Sequence, residues 1–262
     1  MPPPRTVLDA RALPSLRERP CAYPDARPAD ARPPHVYAAG SVHVLGEGER
    51  PDDLLRTLGG APVAARIPVL AVGSNAYPRQ LLDKFADAGL ADDSVPTLRC
   101  RIPQAAIAYA GVLSRPRYIP VSLRARRGGH CETWLQWLTV EQLVRISGTE
   151  GAAYRLVAIP GVVAPALGPG RSSAIGWAHE SLLDLGDGPF GPAEMEQRAL
   201  LGHALRAVDP AVAWDGCRLP EAAIAPLRRW LRERGAANPL PASWRIVERD
   251  PRAFAAYRSG DA

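Results

Sequence analysis

Residues 67–72 form a short, mostly apolar run that stops at Gly73-Ser74-Asn75, after which apolar residues recur at 81, 82 and 85. A brief apolar run bounded by turn residues reads as a buried strand, and the spacing that follows reads as one face of a helix. Pro78 falls in the first turn of that helix, where its missing N–H is no loss. The segment therefore reads strand, tight turn, helix. It sets a polar turn at the end of a buried strand.

The rest of the chain adds more of both kinds of element. Strands are expected at 36–44, 105–113, 118–123, 132–138 and 154–159. A helix at 51–58 is stopped by Gly59-Gly60, and Thr139-Val140-Glu141-Gln142 fits a capping box. That capped helix is expected to run to Arg145 or Ile146 and to break at Gly148. Two later helices, 192–208 and 220–234, each open with proline and an acidic residue, which suits a helix N-terminus. Residues 1–35, rich in Pro, Arg, Asp and Ala, read as an extended arm. The tail from Asn238 reads as irregular, with Trp244 as a packing anchor. The organisation expected is an N-terminal arm with short elements (1–66), a core (67–160) and a C-terminal helical extension packed on it (161–262).

Composition narrows the function classes. Of 262 residues, 47% are hydrophobic, enough for a sizeable core, and 23% are charged. No apolar run approaches the roughly 18 residues of a membrane span. The Met-Pro-Pro-Pro-Arg opening lacks the apolar region of a secretion signal. A cytoplasmic protein with no membrane partner is expected. The formal net charge is +5, and Lys84 is the one lysine among 32 basic residues. That bias toward Arg, Ala and Pro reflects bacterial-type base composition. The densest basic cluster, Arg115, Arg117, Arg124, Arg126 and Arg127, lacks interleaved aromatics beyond Tyr118. It reads as a solvated loop face, so no nucleic-acid partner is expected. Cys21, Cys100, Cys131 and Cys217 form no C-x-x-C pair, and the five histidines have no ligand spacing. Free thiols, no metal and no cofactor are the expectation.

Two places could carry chemistry. Gly73-Ser74-Asn75 stands before a helix start, where free N–H groups and the helix dipole attract carboxylates and phosphates. The plainer reading is that Ser74 or Asn75 caps the helix. Thr149-Glu150-Gly151 sets a lone carboxylate between the capped helix and the next strand. Such a group can serve as a general base if its pocket tunes it; the plainer reading is a solvated turn residue.

Together these two places resemble γ-glutamyl cyclotransferases. Strand, Gly73-Ser74-Asn75, helix is similar to that family's Tyr-Gly-Ser-Asn-Leu signature. Residues 137–151, from Trp137-Leu138-Thr139 through Glu141-Gln142-Leu143 to Thr149-Glu150-Gly151, with Tyr154 after them, are similar to its later helix and strand. The resemblance covers about 67–160. It implies an α+β fold: a small mixed β-barrel with surrounding helices, here with an N-terminal arm and a C-terminal helical extension. It further implies release of an amine from a γ-glutamyl amide with formation of 5-oxoproline. In that reading Glu150 is the catalytic acid and base, and Val72, Gly73, Ser74, Asn75 and Tyr154 bind a small-molecule substrate. No cofactor is implied, and the oligomeric state is left open. The chain departs from the family pattern at Val72 (Tyr in the signature), Ala76 (Leu) and Ser147 (Asp). The departures at Val72 and Ser147 favour the alternative, a catalytically silent binding module of the same fold, while the retained Glu150-Gly151 and Gly73-Ser74-Asn75 disfavour it. Pocket geometry separates the two: an enzyme sets Glu150 facing Gly73–Asn75 across a cavity, a silent module fills the cavity or turns Glu150 to solvent.

Overall fold

A computed structural model describes residues 6–24, 32–168 and 170–258. Parts of the expected N-terminal arm, and Pro169, lie outside the described residues. The chain opens with β1 (Val7–Asp9), β2 (His35–Ala38) and β3 (Ser41–Val44), then α1 (Pro51–Leu58). The single strand expected at 36–44 is thus a hairpin. Ala39 and Gly40 turn it with φ of 48° and 79°. The α1 helix ends as expected, with Gly59 in the left-handed conformation at φ 74°.

Next come β4 (Ile67–Ala71), α2 (Pro78–Phe85), β5 (Val95–Tyr109), β6 (Val121–Leu138), α3 (Val140–Thr149), β7 (Tyr154–Val163) and β8 (Arg171–His179). Five of these strands close a mixed barrel in the order β5-β6-β4-β8-β7. Arg101 of β5 opposite Val163 of β7 closes the ring. The β4–β8 pair is parallel and the remaining pairs are antiparallel. Outside the ring, β2, β3 and β1 extend the sheet from β5.

Alternation along β4 shows why it reads as a continuous apolar run. Leu70 joins Leu98, Leu123, Leu135, Val157 and Ala174 in a cluster drawn from all five barrel strands. Val69 joins Leu81 and Phe85 of α2 and Leu143 and Ile146 of α3 on the other face. Both faces of β4 are covered, so all five of its residues are buried.

The three strands expected over 105–138 are two long ones. The gap expected between 123 and 132 is not there: a register shift between Pro103 and Ala105 takes up the extra residues and the hairpin continues. Arg124, Arg126 and Arg127 therefore lie on a strand rather than a loop. Gly148 does not end α3 either. A glycine inside a helix costs about 1 kcal/mol relative to alanine, whereas burying Leu143 and Ile146 contributes roughly 1.5–3 kcal/mol each. The helix runs on to Thr149 and Glu150 becomes its C-cap. The barrel also needs β8, which lies beyond residue 160 in the part expected to be a C-terminal helical extension.

After β9 (Ser181–Leu183), the extension contributes α4 (Gln197–Val208), α5 (Glu221–Glu233), β10 (Gly235–Ala237), β11 (Arg245–Ile246) and α6 (Pro251–Ala255). The first of these helices starts five residues later than expected, and the tail holds a strand and a helix in addition to the buried Trp244. Leu200, Leu205, Leu227 and Trp230 of α4 and α5 form a second core with Tyr77, Tyr109 and Tyr118. The two flanks of the chain meet where Cys21 and Cys217 stand with their Sγ atoms 3.0 Å apart. Both thiols are free, and burial pushes that of Cys21 up to about 11. Among the described residues no helix is long and apolar enough to cross a membrane.

Candidate active site

The site depends on where α3 begins and ends. At its start, Thr139 accepts from the Gln142 amide and the Gln142 side chain accepts from Thr139 N–H, closing the expected capping box. Gln142 is fully buried and also donates to the carbonyls of Asp92 and Ser94. Beside it lies Arg66, at 0% exposure the largest fully buried side chain. Its guanidinium pairs with Asp92 at 2.6 Å and donates to the Ser94 carbonyl at 2.7 Å and the Ala61 carbonyl at 2.8 Å. Burial alone would raise the Asp92 carboxyl. The Ser94 hydroxyl, the Ala61 N–H and the Arg66 charge outweigh burial and hold it below the usual carboxylate range.

At its other end α3 leaves carbonyls without helical partners. Arg249, from the C-terminal extension, donates to the carbonyls of Ser147 and Glu150 at that end and of Gly151 and Tyr154 just beyond it. A cation at a helix C-terminus also suits the helix dipole. Glu150 is thus held at both ends of its helix by residues distant in sequence.

Its carboxylate turns inward. Oε1 accepts from Nδ2 of Asn75 at 3.1 Å and from Nζ of Lys84 at 3.0 Å. Nζ of Lys84 also donates to Oδ1 of Asn75 at 2.7 Å. Neither plain reading of the two motifs holds. Ser74–Ala76 form a 3-10 turn and the cap of α2 is Tyr77, with no side-chain hydrogen bond. Asn75 spends its amide on Glu150 and Lys84. Glu150 is not a solvated turn residue, its side chain being 19% exposed.

One cavity of about 1120 Å³ brings together all six residues singled out from the sequence: Val72, Gly73, Ser74, Asn75, Glu150 and Tyr154. It also takes in residues the sequence did not flag. Tyr23, from the N-terminal segment, stacks on Tyr118 with ring centroids 4.0 Å apart and planes 15° apart. Its hydroxyl accepts from Val121 N–H at 3.0 Å, while Tyr154 donates to the Val121 carbonyl at 3.2 Å. A Cβ on Gly73 would lie 2.5 Å from the Tyr23 hydroxyl. Glycine is needed there for space; its φ of −114° is open to any residue. Burial raises all three tyrosines, reinforced at Tyr154 by the Glu150 charge and opposed at Tyr118 by the Ser74 side chain. They remain protonated phenols around an acidic group.

His179 lines the same cavity, edge-on to Tyr154 with centroids 4.8 Å apart. Burial lowers its pKa, so it sits neutral, with Nδ1 2.8 Å from the Ser181 carbonyl. Among the described residues no group of three His, Cys, Asp or Glu is placed to hold a metal ion. The arrangement offers the Glu150 carboxylate for proton transfer, amide and hydroxyl groups for orientation, and room for a small molecule.

No protein-family model matches the chain, and no curated protein sequence matches it. Among solved structures, it is similar to an Arabidopsis thaliana protein at TM-score 0.38 and 13% identity, over 57% of this chain and 95% of that one. It is similar to an uncharacterized Homo sapiens protein at TM-score 0.36 and 12% identity, over 64% and 99%. It is also similar to a gamma-glutamyl cyclotransferase at TM-score 0.38 and 11% identity, over 64% and 98%. Likenesses of this size decide nothing about chemistry, which has to be read from the residues of the cavity.

Proposed function

We propose that the chain is a γ-glutamyl cyclotransferase-like enzyme, releasing an amine from a γ-glutamyl amide and forming 5-oxoproline, with Glu150 as general acid and base. The observation that carries this is the 3.1 Å contact between Asn75 and Glu150 in the wall of one cavity. It unites the two motifs on which the family resemblance rests. The open cavity and the inward carboxylate are what an enzyme needs and a silent module does not.

The chemistry asks for little more. The substrate's α-ammonium must lose a proton before its nitrogen can attack the γ-carbonyl. The new C–N bond closes the five-membered lactam, and the old C–N bond breaks to free the amine. Two protons leave the α-nitrogen and two arrive on the leaving nitrogen, and Glu150 carries them in turn. Amides around Gly73–Asn75 would hold the substrate carboxylate or the developing oxyanion. A pocket that folds the substrate for intramolecular attack supplies much of the rate. The signature Tyr that this chain lacks at Val72 is offset by the phenols of Tyr23, Tyr118 and Tyr154 around the cavity.

The test is 5-oxoproline release from a panel of γ-glutamyl amino acids, γ-glutamylamines and glutathione, with Glu150→Gln alongside. Release by the wild type that falls by at least about 100-fold in the variant is expected, since acid–base groups contribute about 100- to 10,000-fold. Undiminished turnover in Glu150→Gln sinks the assignment of Glu150. Release from no member of the panel overturns the cyclotransferase reading and leaves a binding module.

A further inference from the structure

Lys84 is the chain's one lysine; the other 31 basic residues are arginine. In a chain so biased, the single exception stands at a buried position beside the candidate acid and base. The Lys84 side chain is 10% exposed, and its Nζ reaches Oδ1 of Asn75 at 2.7 Å and Oε1 of Glu150 at 3.0 Å. Its backbone is fixed as well: Arg145 of α3 donates through Nε to the Lys84 carbonyl at 2.7 Å. The helix that carries Lys84 is thereby tied to the helix that delivers Glu150.

The consequence is an asymmetric carboxylate. Oε1 takes two hydrogen bonds, from Asn75 and from Lys84. Oε2 takes none among the described residues. We propose that Lys84 is a positioning residue: its ammonium, seated between Asn75 and Oε1 of Glu150, fixes the carboxylate so that Oε2 is the oxygen that exchanges protons with the ligand. A compact ammonium can sit between two acceptors at such distances. A guanidinium is a wide planar fork whose donors point along fixed directions, and it would displace Asn75 or rotate the carboxylate. Shape as well as charge therefore accounts for a lysine at this one place.

The work assigned to Oε2 rests on the cyclotransferase reading, but the seating of Lys84 does not. The test separates them. Because there is one lysine, protein labelled with ¹⁵N-lysine gives a single side-chain ammonium resonance. That resonance is expected to shift in Glu150→Gln and in Asn75→Ala, and to stay in place in Asp87→Ala, an exposed substitution just beyond the same helix. An unmoved resonance in Glu150→Gln overturns the seating whatever the activity. In the 5-oxoproline assay, Lys84→Met and Lys84→Arg are expected to lower kcat by on the order of 100-fold with KM nearly unchanged, the effect of a misplaced reacting group. Lys84→Ala is expected to regain turnover with added ethylammonium and not with ethanol, a recovery that a merely misfolded variant does not show. Wild-type kcat in either Lys84→Met or Lys84→Arg overturns the positioning role. A wild type without release in the panel defeats the cyclotransferase reading instead, and the resonance still decides the seating.

Discussion

Replacing Gly73 by alanine tests whether the N-terminal segment is part of the cavity wall. The added Cβ would stand 2.5 Å from the Tyr23 hydroxyl and 3.4 Å from Cγ2 of Val121. The first distance is far inside contact, so Tyr23 has to move. Its hydroxyl then gives up the Val121 N–H it holds at 3.0 Å. A buried donor left without a partner costs about 1–3 kcal/mol, and disturbing the stack on Tyr118 adds roughly 0.5–1.5 kcal/mol. Gly73→Ala should destabilise by about 2–4 kcal/mol in a denaturant titration. Tyr23→Phe loses the same hydrogen bond but keeps the ring, at a cost of about 1–3 kcal/mol. Without the hydroxyl, the next ring atom is 3.6 Å from the new Cβ, an ordinary contact. The double variant loses the shared bond once, not twice. A double-mutant cycle should therefore show a coupling of about 1–3 kcal/mol, with the pair less destabilised than the sum of its singles. Additivity within about 0.5 kcal/mol would refute the seating of Tyr23 against Gly73.

Two other perturbations follow from buried charge. Asp92→Ala leaves Arg66, 0% exposed, without its carboxylate, and should cost about 3–5 kcal/mol by denaturant titration, the usual result of breaking a buried pair; a loss under about 1 kcal/mol would contradict that environment. His179 is held neutral by burial, its folded pKa below the ordinary imidazole value of about 6.5. As pH falls, the unfolded chain takes up the proton first, so this contribution to stability is full above about 6.5 and is lost as pH drops through the folded pKa. The melting temperature of the wild type should therefore fall further between about pH 7.5 and about pH 5 than that of His179→Asn, and equal slopes would count against the assignment.

What the sequence made legible is what local chemistry writes. The β4–turn–α2 unit, α1 with its Gly59 stop and the Thr139–Gln142 capping box each depend on residues within a few positions of one another. They appear where expected. What stayed hidden depends on distance along the chain. Tyr23 meets Val121 across 98 residues, Lys84 meets Glu150 across 66 and Arg249 meets the Glu150 carbonyl across 99. Periodicity and capping rules carry no signal for such pairs. The gap expected between the strands 118–123 and 132–138, and the helix stop expected at Gly148, have a related origin. Glycine and proline punctuate a chain only when tertiary contacts do not outweigh their local cost. The one clue to Lys84 was compositional, a single lysine among arginines, and it gained meaning only once α2 and α3 were seen side by side.

The same distances bear on what the flanks are for. The family resemblance spans about 67–160, yet the cavity is not complete within those bounds. Arg17, Pro20 and Tyr23 line it from the N-terminal side, His179, Arg218 and Leu219 from the C-terminal side. The two flanks touch at Cys21 and Cys217. Where the family signature carries a tyrosine, this chain has Val72, and a tyrosine hydroxyl against Gly73 comes instead from Tyr23. A compact cyclotransferase-like core could not supply that hydroxyl, nor the Arg249 clamp on the end of α3. The departures inside the motifs and the extra length outside them are then two sides of one arrangement. The core holds the Glu150 carboxylate, while the flanks build outer walls of the cavity it faces.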